Sequence, residues 1–384
     1  MRSTKMMPIE IVPHDTVIAK DGRPFGSGQA NRMRSVEWLY PSVLAGSFRT
    51  MLGKEISNGF DADTVDILKS IKVKGPLLRY NDELYFPAPK DIVMDESRRF
   101  YVKRPCVLAE GEGCDLPLSG LLPTMLLDSP EEDFKPIGGP AFWSGSNMVQ
   151  WLSEPNGESF GLPRSFEPED GFLESIEHEI RTHIKIDSTH GTVDPNEGLL
   201  FLSDGLVFPE GFSIAASVDF PKDLSFESVR SLHPLGGERR LSLWKSVDSP
   251  DLWKCPDKVR RVLEDNPEYI RMCLATPAIF ERGWLPGWID QTTLSGTIPG
   301  TSLDVELKGA CVERWKPVSG WGLEAGKVGP KPIRRMVPAG SIYFFRVLKG
   351  DSQQLKECWL ESVCDNEQDR RDGFGLALWG IWQG

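Results

Sequence analysis

Two stretches of this sequence place arginines and lysines among glycines, a pattern typical of loops that bind phosphate groups. Basic side chains neutralise phosphates, and glycines let the backbone come close to a ligand. Aromatic residues such as Trp321 in the second stretch add surfaces on which unstacked bases can lie. The candidate RNA-binding bases are Arg23, Arg32, Arg34 and Arg49 in the first cluster, and Lys327, Lys331, Arg334 and Arg335 in the second.

A third candidate is the short stretch Gly236-Gly237-Glu238-Arg239-Arg240. Two glycines beside two arginines again suit close approach to a phosphate backbone. The following residues have the composition of a strand, in which neighbouring side chains alternate, so one of the two arginines can simply face solvent. Any single arginine in these clusters also has a plain interpretation as a solvated surface charge. Only the clustering favours RNA, with Gly236, Gly237 and Arg239 as the contacts.

The charge balance of the chain is uneven. The net charge of −12 argues against a protein that is coated uniformly in polyanion. Residues 1–54 nevertheless carry +4 and residues 314–349 carry +7, which leaves −23 on the rest. Residues 154–179 hold eight acids and one arginine, so they form a solvated loop or face a basic partner. The basic ends remain candidates for binding RNA.

Several classes of protein are excluded. No apolar run reaches the roughly 18 residues of a membrane span, and the first residues lack the apolar core of a secretory signal. We therefore expect a cytoplasmic protein that does not engage membranes. Seven cysteines without a C-x-x-C pair indicate reduced thiols, and Cys358 and Cys364 have no histidine nearby in sequence for a zinc site. We expect neither a metal nor a cofactor.

The 384 residues suffice for two domains. The pattern predicts a first strand near 9–18 and, after Pro41, an amphipathic helix over 41–57 whose apolar residues recur every three or four positions. Arg49 follows Phe48 on this helix, so it points away from the core face and is free to reach a partner. Residues 60–180 are irregular and rich in proline and glycine, which predicts an insertion of short strands.

Regular patterns return after the insertion. Strict alternation over 179–186 predicts a half-buried strand, and a turn-rich stretch leads back through 199–202, so the two form a projecting hairpin. A strand at 212–220, a helix at 222–232 and a strand at 239–247 complete a β-α-β-β-α-β order, which is ferredoxin-like. The remainder repeats this plan more loosely, with a short helix around Arg260, strands near 269–280, 303–313, 340–348 and 374–382, and a helix at 354–362.

A set of motifs, each weak alone, occurs in one order along nearly the whole chain. They are Lys20-Asp21-Gly22-Arg23-Pro24-Phe25, Pro41 to Arg49, Gly236 to Arg240, Thr276-Pro277-Ala278-Ile279-Phe280, Gly283-Trp284-Leu285-Pro286, Lys331-Pro332, Val337 to Tyr343 and Gly373-Phe374-Gly375-Leu376. Together they resemble the third subunit of the Cmr (type III-B) CRISPR effector complex, a family within the RAMP superfamily. Residues 61–150 match nothing in that family.

The resemblance implies an α+β fold with two ferredoxin-like (RRM-like) RAMP domains, each with a glycine-rich loop. We place the first at 1–248, including the insertion at about 60–180 and a thumb hairpin at about 186–201. The second occupies 249–384. The thumb residues are then Asp187, Thr189, His190, Thr192 and Val193.

The resemblance also implies a function. Such proteins hold the 5′ tag of the crRNA, dock to the large Cas10-type subunit and to a neighbouring backbone RAMP subunit, and place their thumb in the guide–target duplex. They are not known as nucleases, so we expect no enzyme. Two alternatives stay open: a metal-independent endoribonuclease that processes repeat RNA with His14 as general base, and a plain protein scaffold.

Overall fold

The fold is given by a computed structural model. It describes residues 6–20, 32–56, 60–128, 133–156, 166–193, 200–221, 224, 226–322 and 329–384. The architecture is mixed α/β, and every pairing between its named strands is antiparallel. No helix in these ranges is both long and apolar enough to span a membrane.

The elements described up to and including the hairpin of residues 177–207 are three α-helices and ten strands. The helices are α1 (Pro41–Ile56), α2 (Ala62–Ser70) and α3 (Gly145–Ser153). The strands are β1 (Met6–Pro13), β2 (Lys72–Tyr80), β3 (Glu83–Pro87), β4 (Ile92–Met94), β5 (Phe100–Pro105), β6 (Thr124–Leu126), β7 (Phe142–Ser144), β8 (Phe172–Leu173), β9 (Glu177–Ile184) and β10 (Leu200–Val207).

The elements that follow hold the longer strands of the second sheet. The helices are α4 (Asp257–Glu264) and α5 (Glu367–Asp372). The strands are β11 (Phe212–Asp219), β12 (Arg230–Pro234), β13 (Leu241–Ser246), β14 (Tyr269–Leu274), β15 (Ser295–Thr297), β16 (Asp304–Cys311), β17 (Lys316–Val318), β18 (Trp321–Gly322), β19 (Gly329–Pro330), β20 (Arg334–Met336), β21 (Ile342–Lys349), β22 (Glu361–Ser362) and β23 (Leu376–Ile381).

The first sheet has the strand order β12-β13-β1-β11-β2-β3-β7-β8 within the described residues. Helix α1 covers it because Leu44, Phe48 and Leu52 recur on one face and are buried against the sheet. Phe48 packs against Trp244 of β13 with ring centroids 6.0 Å apart. The prediction of this helix is confirmed, although the apolar residue Ile56 in its last turn is 41% exposed.

Two predictions about the first sheet need correction. Residues 60–180 do contain short strands, but β2 from this segment pairs directly with β11 inside the sheet, so the segment is not a mere appendage. The helix predicted at 222–232 is wrong, because Arg230–Pro234 forms the edge strand β12 against β13. Leu232, assigned to the apolar face of that helix, is 59% exposed. Residues 222, 223 and 225 lie outside the described ranges.

The second sheet has the order β15-β16-β21-β14-β23-β22 in the described chain. Its four long strands and helix α4 confirm the sequence prediction. The helix predicted at 354–362 is wrong: a 3-10 turn at Ser352–Lys356 is followed by Leu360, whose φ of +54° breaks any helix. The helix forms later, as α5, where the Asn366 side chain accepts from two backbone amides and Gly373 ends it at φ +92°.

The insertion is joined to the second sheet through a buried charge cluster. Asp91, between β3 and β4, accepts from Arg104 of β5 at 2.7 Å and from Arg271 of β14 at 3.0 Å. All three side chains are at most 1% exposed. Burial lowers the pKa of Arg271 to about 9, and the nearby Arg104 charge adds to this, although Asp91 opposes it. One apolar core therefore includes both the second sheet and part of the insertion.

Strands β9 and β10 form a two-stranded sheet of their own, which confirms the predicted hairpin. The register runs from Glu177 opposite Val207 to Ile184 opposite Leu200. The predicted thumb, 186–201, thus covers the far end of this hairpin and the start of its return strand. Residues 194–199 of the prediction lie outside the described ranges.

Candidate nucleic-acid interface

The chain after β1 lies between the base of the hairpin and the glycine loop. Val17 exchanges two backbone hydrogen bonds with Leu206 of β10, each 2.9 Å long. The Ile18 carbonyl accepts from the Gly237 amide at 2.6 Å. The N-terminal arm, the Gly236-Gly237 loop and the hairpin, which are far apart in sequence, therefore meet at one place.

The glycine at 236 is required by this contact. Its φ is +77°, and a Cβ there would lie 2.2 Å from the Ile18 carbonyl oxygen. Gly237 is also close, since a Cβ would lie 3.1 Å from a methyl group of Ile18. The two glycines thus let the loop approach the protein's own backbone, a role that the sequence did not indicate. Arg239 next to them is exposed and has a φ of +53°.

The N-terminal arm returns to the fold alongside the hairpin. The Met33 amide donates to the Leu202 carbonyl at 2.8 Å, and the Val36 amide donates to the Ala19 carbonyl at 2.8 Å. Arg32 and Arg34 flank Met33, and both are exposed. Neither has an ion pair with any described residue, so their charges are available to a ligand. Arg23, with the glycine-rich part of this arm, lies outside the described residues.

Asp15 ties the same three segments together electrostatically. Its carboxylate accepts from Arg181 of the hairpin at 3.1 Å and also pairs with Arg240 of the glycine loop. The backbone amide of Thr16, at 2.7 Å, is the main cause that holds the pKa of Asp15 below its usual value, and the two arginines add to it. Because Arg240 also contacts Glu238 at 2.9 Å, its charge is already matched within the protein.

Arg49 is not part of this interface. As predicted, it points away from the core face of α1, but its side chain is only 11% exposed and pairs with Asp372. It also donates to the carbonyls of Ile71 at 2.7 Å and Arg371 at 3.2 Å. The expectation that Arg49 is free to reach a partner is therefore wrong, since α5, over three hundred residues later, covers it.

The second basic cluster lies on and beside the strand pair β17–β20, with Arg334 and Arg335 on β20 and Lys331 just before it. Lys331 and Arg335 are exposed, and the Arg335 guanidinium stacks over the Trp315 ring, 4.8 Å from its centroid. Arg334 donates to Asp369 at 2.7 Å but remains 46% exposed. Lys327 lies outside the described residues. Of the described members of this cluster, Lys331 and Arg335 have no carboxylate partner.

An ion pair links the two segments that carry the clusters. Glu37, three residues after Arg34, pairs with Lys316 at the start of β17. The hydrogen bond from Lys316 is the main cause that lowers the pKa of Glu37. Within the β17–β20 pair, the residue after Lys316 stands opposite Arg335. Because side chains alternate along a strand, Lys316 and Arg335 point to opposite faces of the pair, so the ion pair joins the arm to the strand pair without placing Arg34 against Arg335. We call the four exposed bases without a carboxylate partner among the described residues, Arg32, Arg34, Lys331 and Arg335, the basic surface.

The hairpin presents an apolar face beside the basic surface. By the register, Ile180, Ile184 and Leu200 lie on the same side of the two strands, and they are 52%, 44% and 54% exposed. Alternation predicted a half-buried strand, but the two isoleucines lie on the more exposed face of β9, and the polar residues that alternate with them lie on its half-buried face. Beyond the strands, Ile186 pairs with Val193, and these are 58% and 42% exposed.

The predicted thumb residues form a compact turn at the hairpin end. The Asp187 amide donates to the Thr192 carbonyl at 2.8 Å. The Asp187 side chain accepts from the Thr189 amide at 2.8 Å and lies 2.6 Å from Nδ1 of His190. The His190 contact is the main cause that lowers the pKa of Asp187. The turn is therefore ordered by its own side chains.

Comparison with known proteins identifies the chain. The family model described as CRISPR-associated protein (Cas_Cmr3) matches residues 9–382. The chain belongs to this family. No curated protein sequence gives a significant match. The family match confirms the resemblance of this Cas_Cmr3 chain to the third Cmr subunit.

Solved structures with similar chains come from type III CRISPR complexes. One is the Type III-B Cmr-beta complex bound to cognate target RNA, with 15% identity, a TM-score of 0.48, and coverage of 88% of this chain and 86% of that chain. Another is the Csm3-Csm4 subcomplex of the type III-A interference complex, with 11% identity, a TM-score of 0.39, and coverage of 90% and 93%.

His14 of this Cas_Cmr3 chain, the predicted general base of the endoribonuclease alternative, is exposed at the end of β1. Its backbone amide donates to Leu241 at 3.1 Å, and its imidazole has no hydrogen-bond partner among the described residues. Nearby Asp15 is already paired with Arg181 and Arg240. No second acid or base is thus assembled with His14 within the described chain.

Proposed function

We propose that this Cas_Cmr3 chain is a non-catalytic crRNA-binding subunit of a type III-B CRISPR (Cmr) antiviral ribonucleoprotein, which holds the 5′ tag of the crRNA. The observation that carries the proposal is the basic surface, whose four exposed bases lie on two segments that the Glu37–Lys316 pair joins. Cations without carboxylate partners on adjoining segments suit a phosphate backbone that crosses from one to the other.

The strand orders support two ferredoxin-like domains. Within the first sheet, β13-β1-β11-β2 is a 4-1-3-2 order of antiparallel strands, and α1 connects the first and second of these. Within the second sheet, β23-β14-β21-β16 repeats the order. This is the order of the split β-α-β plan used by RNA-binding RRM domains. The helix that normally precedes the fourth strand is replaced by β12 in the first domain.

The hairpin β9–β10 is the thumb of this proposal. Its exposed isoleucines would contact bases in the guide–target duplex, because apolar side chains can wedge between stacked bases. The acidic remainder of the chain, at −23 outside the two basic ends, leaves surface for the large Cas10-type subunit and a neighbouring RAMP subunit. Sequence specificity for the target would rest on base pairing with the guide, not on the protein.

A binding titration tests the proposal. The full chain is titrated with labelled RNA that carries the repeat-derived 5′ tag, at several salt concentrations. We expect log–log slopes of about −0.7 for each phosphate neutralised. Charge reversal at Arg32, Arg34, Lys331 and Arg335 should weaken binding at least tenfold and flatten the slope. Each single reversal is compared with Lys349→Glu, the same change of −2 at the far end of β21, as the matched control.

The same RNA distinguishes binding from processing. We expect the repeat RNA to stay intact when it is incubated with the chain in the absence of metal. Metal-independent cleavage that His14→Ala abolishes would replace this proposal with the endoribonuclease alternative. Affinity that is unchanged by the four charge reversals would instead favour the protein scaffold.

A further inference from the structure

A cavity of about 580 Å³ opens beside the β17–β20 pair, between the insertion and the second domain. Residues 116–124 of the insertion form one wall, and residues 309–315 with 335–337 form another. The insertion wall is fixed in place, because the Leu122 amide donates to the Lys308 carbonyl of β16 at 2.8 Å. A volume of this size falls in the usual range of about 300–1,000 Å³ for ligand sites.

The charges around the cavity favour an anion. Arg282, Arg314 and Arg335 line it, and none of them has an ion pair with any described residue. The carboxylate among the lining residues, Glu313, is held by Lys90 at 3.0 Å. The cavity is therefore positive in net charge, as a site for a phosphate group should be.

An aromatic surface stands at the same place. Trp315 is 44% exposed, although a tryptophan of this size is usually well buried in a protein. The Arg335 guanidinium covers part of the ring at 4.8 Å and is itself a planar group on which a base can stack. Leu121 and Leu122 of the insertion provide apolar surface opposite. The cavity thus combines stacking surface and positive charge.

We propose that this cavity receives one unstacked nucleotide of the bound RNA, with its base against Trp315 and its phosphate near the arginines. This inference rests on the proposed function and adds a role for the insertion, whose wall completes the site. An acidic protein segment would match the charge of the cavity but would not use its stacking surface. The exposed aromatic ring therefore favours a nucleotide as the ligand.

Abasic scanning tests the proposal. Tag RNAs that each lack one base are titrated against the full chain. In the wild type, removal of the base that occupies the cavity should lower affinity about 5- to 150-fold, the range expected for one base–aromatic stack. Trp315→Ala should lower the affinity for intact RNA by a similar factor. The affinity of this variant should not fall further when the base at that position is removed. Leu116→Asp, in the insertion wall, should reduce the same sensitivity.

Controls separate the failure of this inference from that of the proposed function. Leu348→Ala removes another exposed apolar side chain, 50% exposed on β21, and should leave affinity unchanged. Wild-type chain that binds no tag RNA contradicts the proposed function itself. The chain could instead bind tag RNA while no abasic position has an effect that depends on Trp315. That outcome overturns only the cavity assignment. Free nucleoside monophosphates that bind as tightly as the RNA would overturn RNA as the occupant.

Discussion

The Arg49 guanidinium of α1 is paired with the Asp372 carboxylate at the end of α5, and this contact joins the helix that covers the first sheet to the helix that precedes β23 of the second. The side chains are 11% and 15% exposed, and Gln368 also donates to Asp372 at 2.8 Å. The guanidinium is additionally held by the carbonyls of Ile71 and Arg371. A buried ion pair of this kind is costly to break from one side, because the remaining charge loses its partner.

Arg49→Ala should lower the free energy of unfolding by about 3–5 kcal/mol, since Asp372 is left without its cation. Urea denaturation measures this change. Arg371→Ala is a matched control: Arg371 pairs with Glu367 at the surface, so its loss should cost less than about 1 kcal/mol. The affinity of the folded Arg49→Ala variant for tag RNA should stay unchanged. If the fully folded variant bound tag RNA ten times more weakly than the wild type, Arg49 would be an RNA contact after all.

The position and the partner of Arg49 differ in how far the sequence could predict them. The bounds of α1 were predictable to within a residue, because Pro41 and the spacing of Leu44 and Phe48 are local signals. The partner of Arg49 was not, because Asp372 lies 323 positions away and only the tertiary fold brings it near. The Glu37–Lys316 pair, 279 positions apart, was missed for the same reason.

Of two further errors, one had a usable local signal and the other did not. Asn366 and Gly373 are the capping residues of α5, and they are visible in the sequence, but the apolar residues at 354–362 outweighed them. Alternation correctly predicted β9, yet alternation does not tell which face of a strand is covered. The exposure of Ile180 and Ile184 therefore required the structure, since it depends on what packs against the hairpin.

Gly236→Ala should destabilise the protein by about 1–3 kcal/mol or more. The φ of +77° is strained for alanine, and the new methyl group would lie 2.2 Å from the Ile18 carbonyl oxygen. Thermal unfolding measures the loss, and tag-RNA affinity should fall with it as the arm is displaced. Gly46→Ala is the opposite control: nothing lies within 4 Å of its added methyl group on α1, so it should stabilise by about 0.5–1 kcal/mol. Equal effects at both glycines would contradict the close contact.

Asp15 should make the attachment of the hairpin sensitive to acid. The pKa of Asp15 in the folded protein lies below the usual 3.8, mainly through the Thr16 amide. The contribution of its carboxylate to stability is therefore complete at pH values above 3.8 and is lost as the pH falls through the folded-state pKa. Asp15→Asn should therefore cost stability at pH 7, and the difference from wild type should shrink progressively as the pH falls below 3.8. The expected cost is below about 1 kcal/mol, because the carboxylate is 43% exposed. A difference that grows on acidification would refute the assignment.

The hairpin end should be needed for target engagement but not for tag binding. Replacing residues 185–199 with an Asn-Gly turn joins Ile184 to Leu200, which already stand opposite each other in the register. The shortened hairpin keeps its strands and the Asp15–Arg181 pair, so the basic surface should bind tag RNA with unchanged affinity. Ile186 and Val193, whose apolar side chains are exposed at the end of the hairpin, are removed.

The measurement compares tag-RNA affinity with the binding of cognate target RNA by the assembled complex. We expect only target binding to weaken, because the apolar wedge against the guide–target duplex is lost. The full-length variant Ile186→Ser with Val193→Ser keeps the turn at Asp187 and should show a smaller loss in the same direction. Equal losses of tag and target binding would contradict the thumb assignment, because they would place the hairpin end in the tag site.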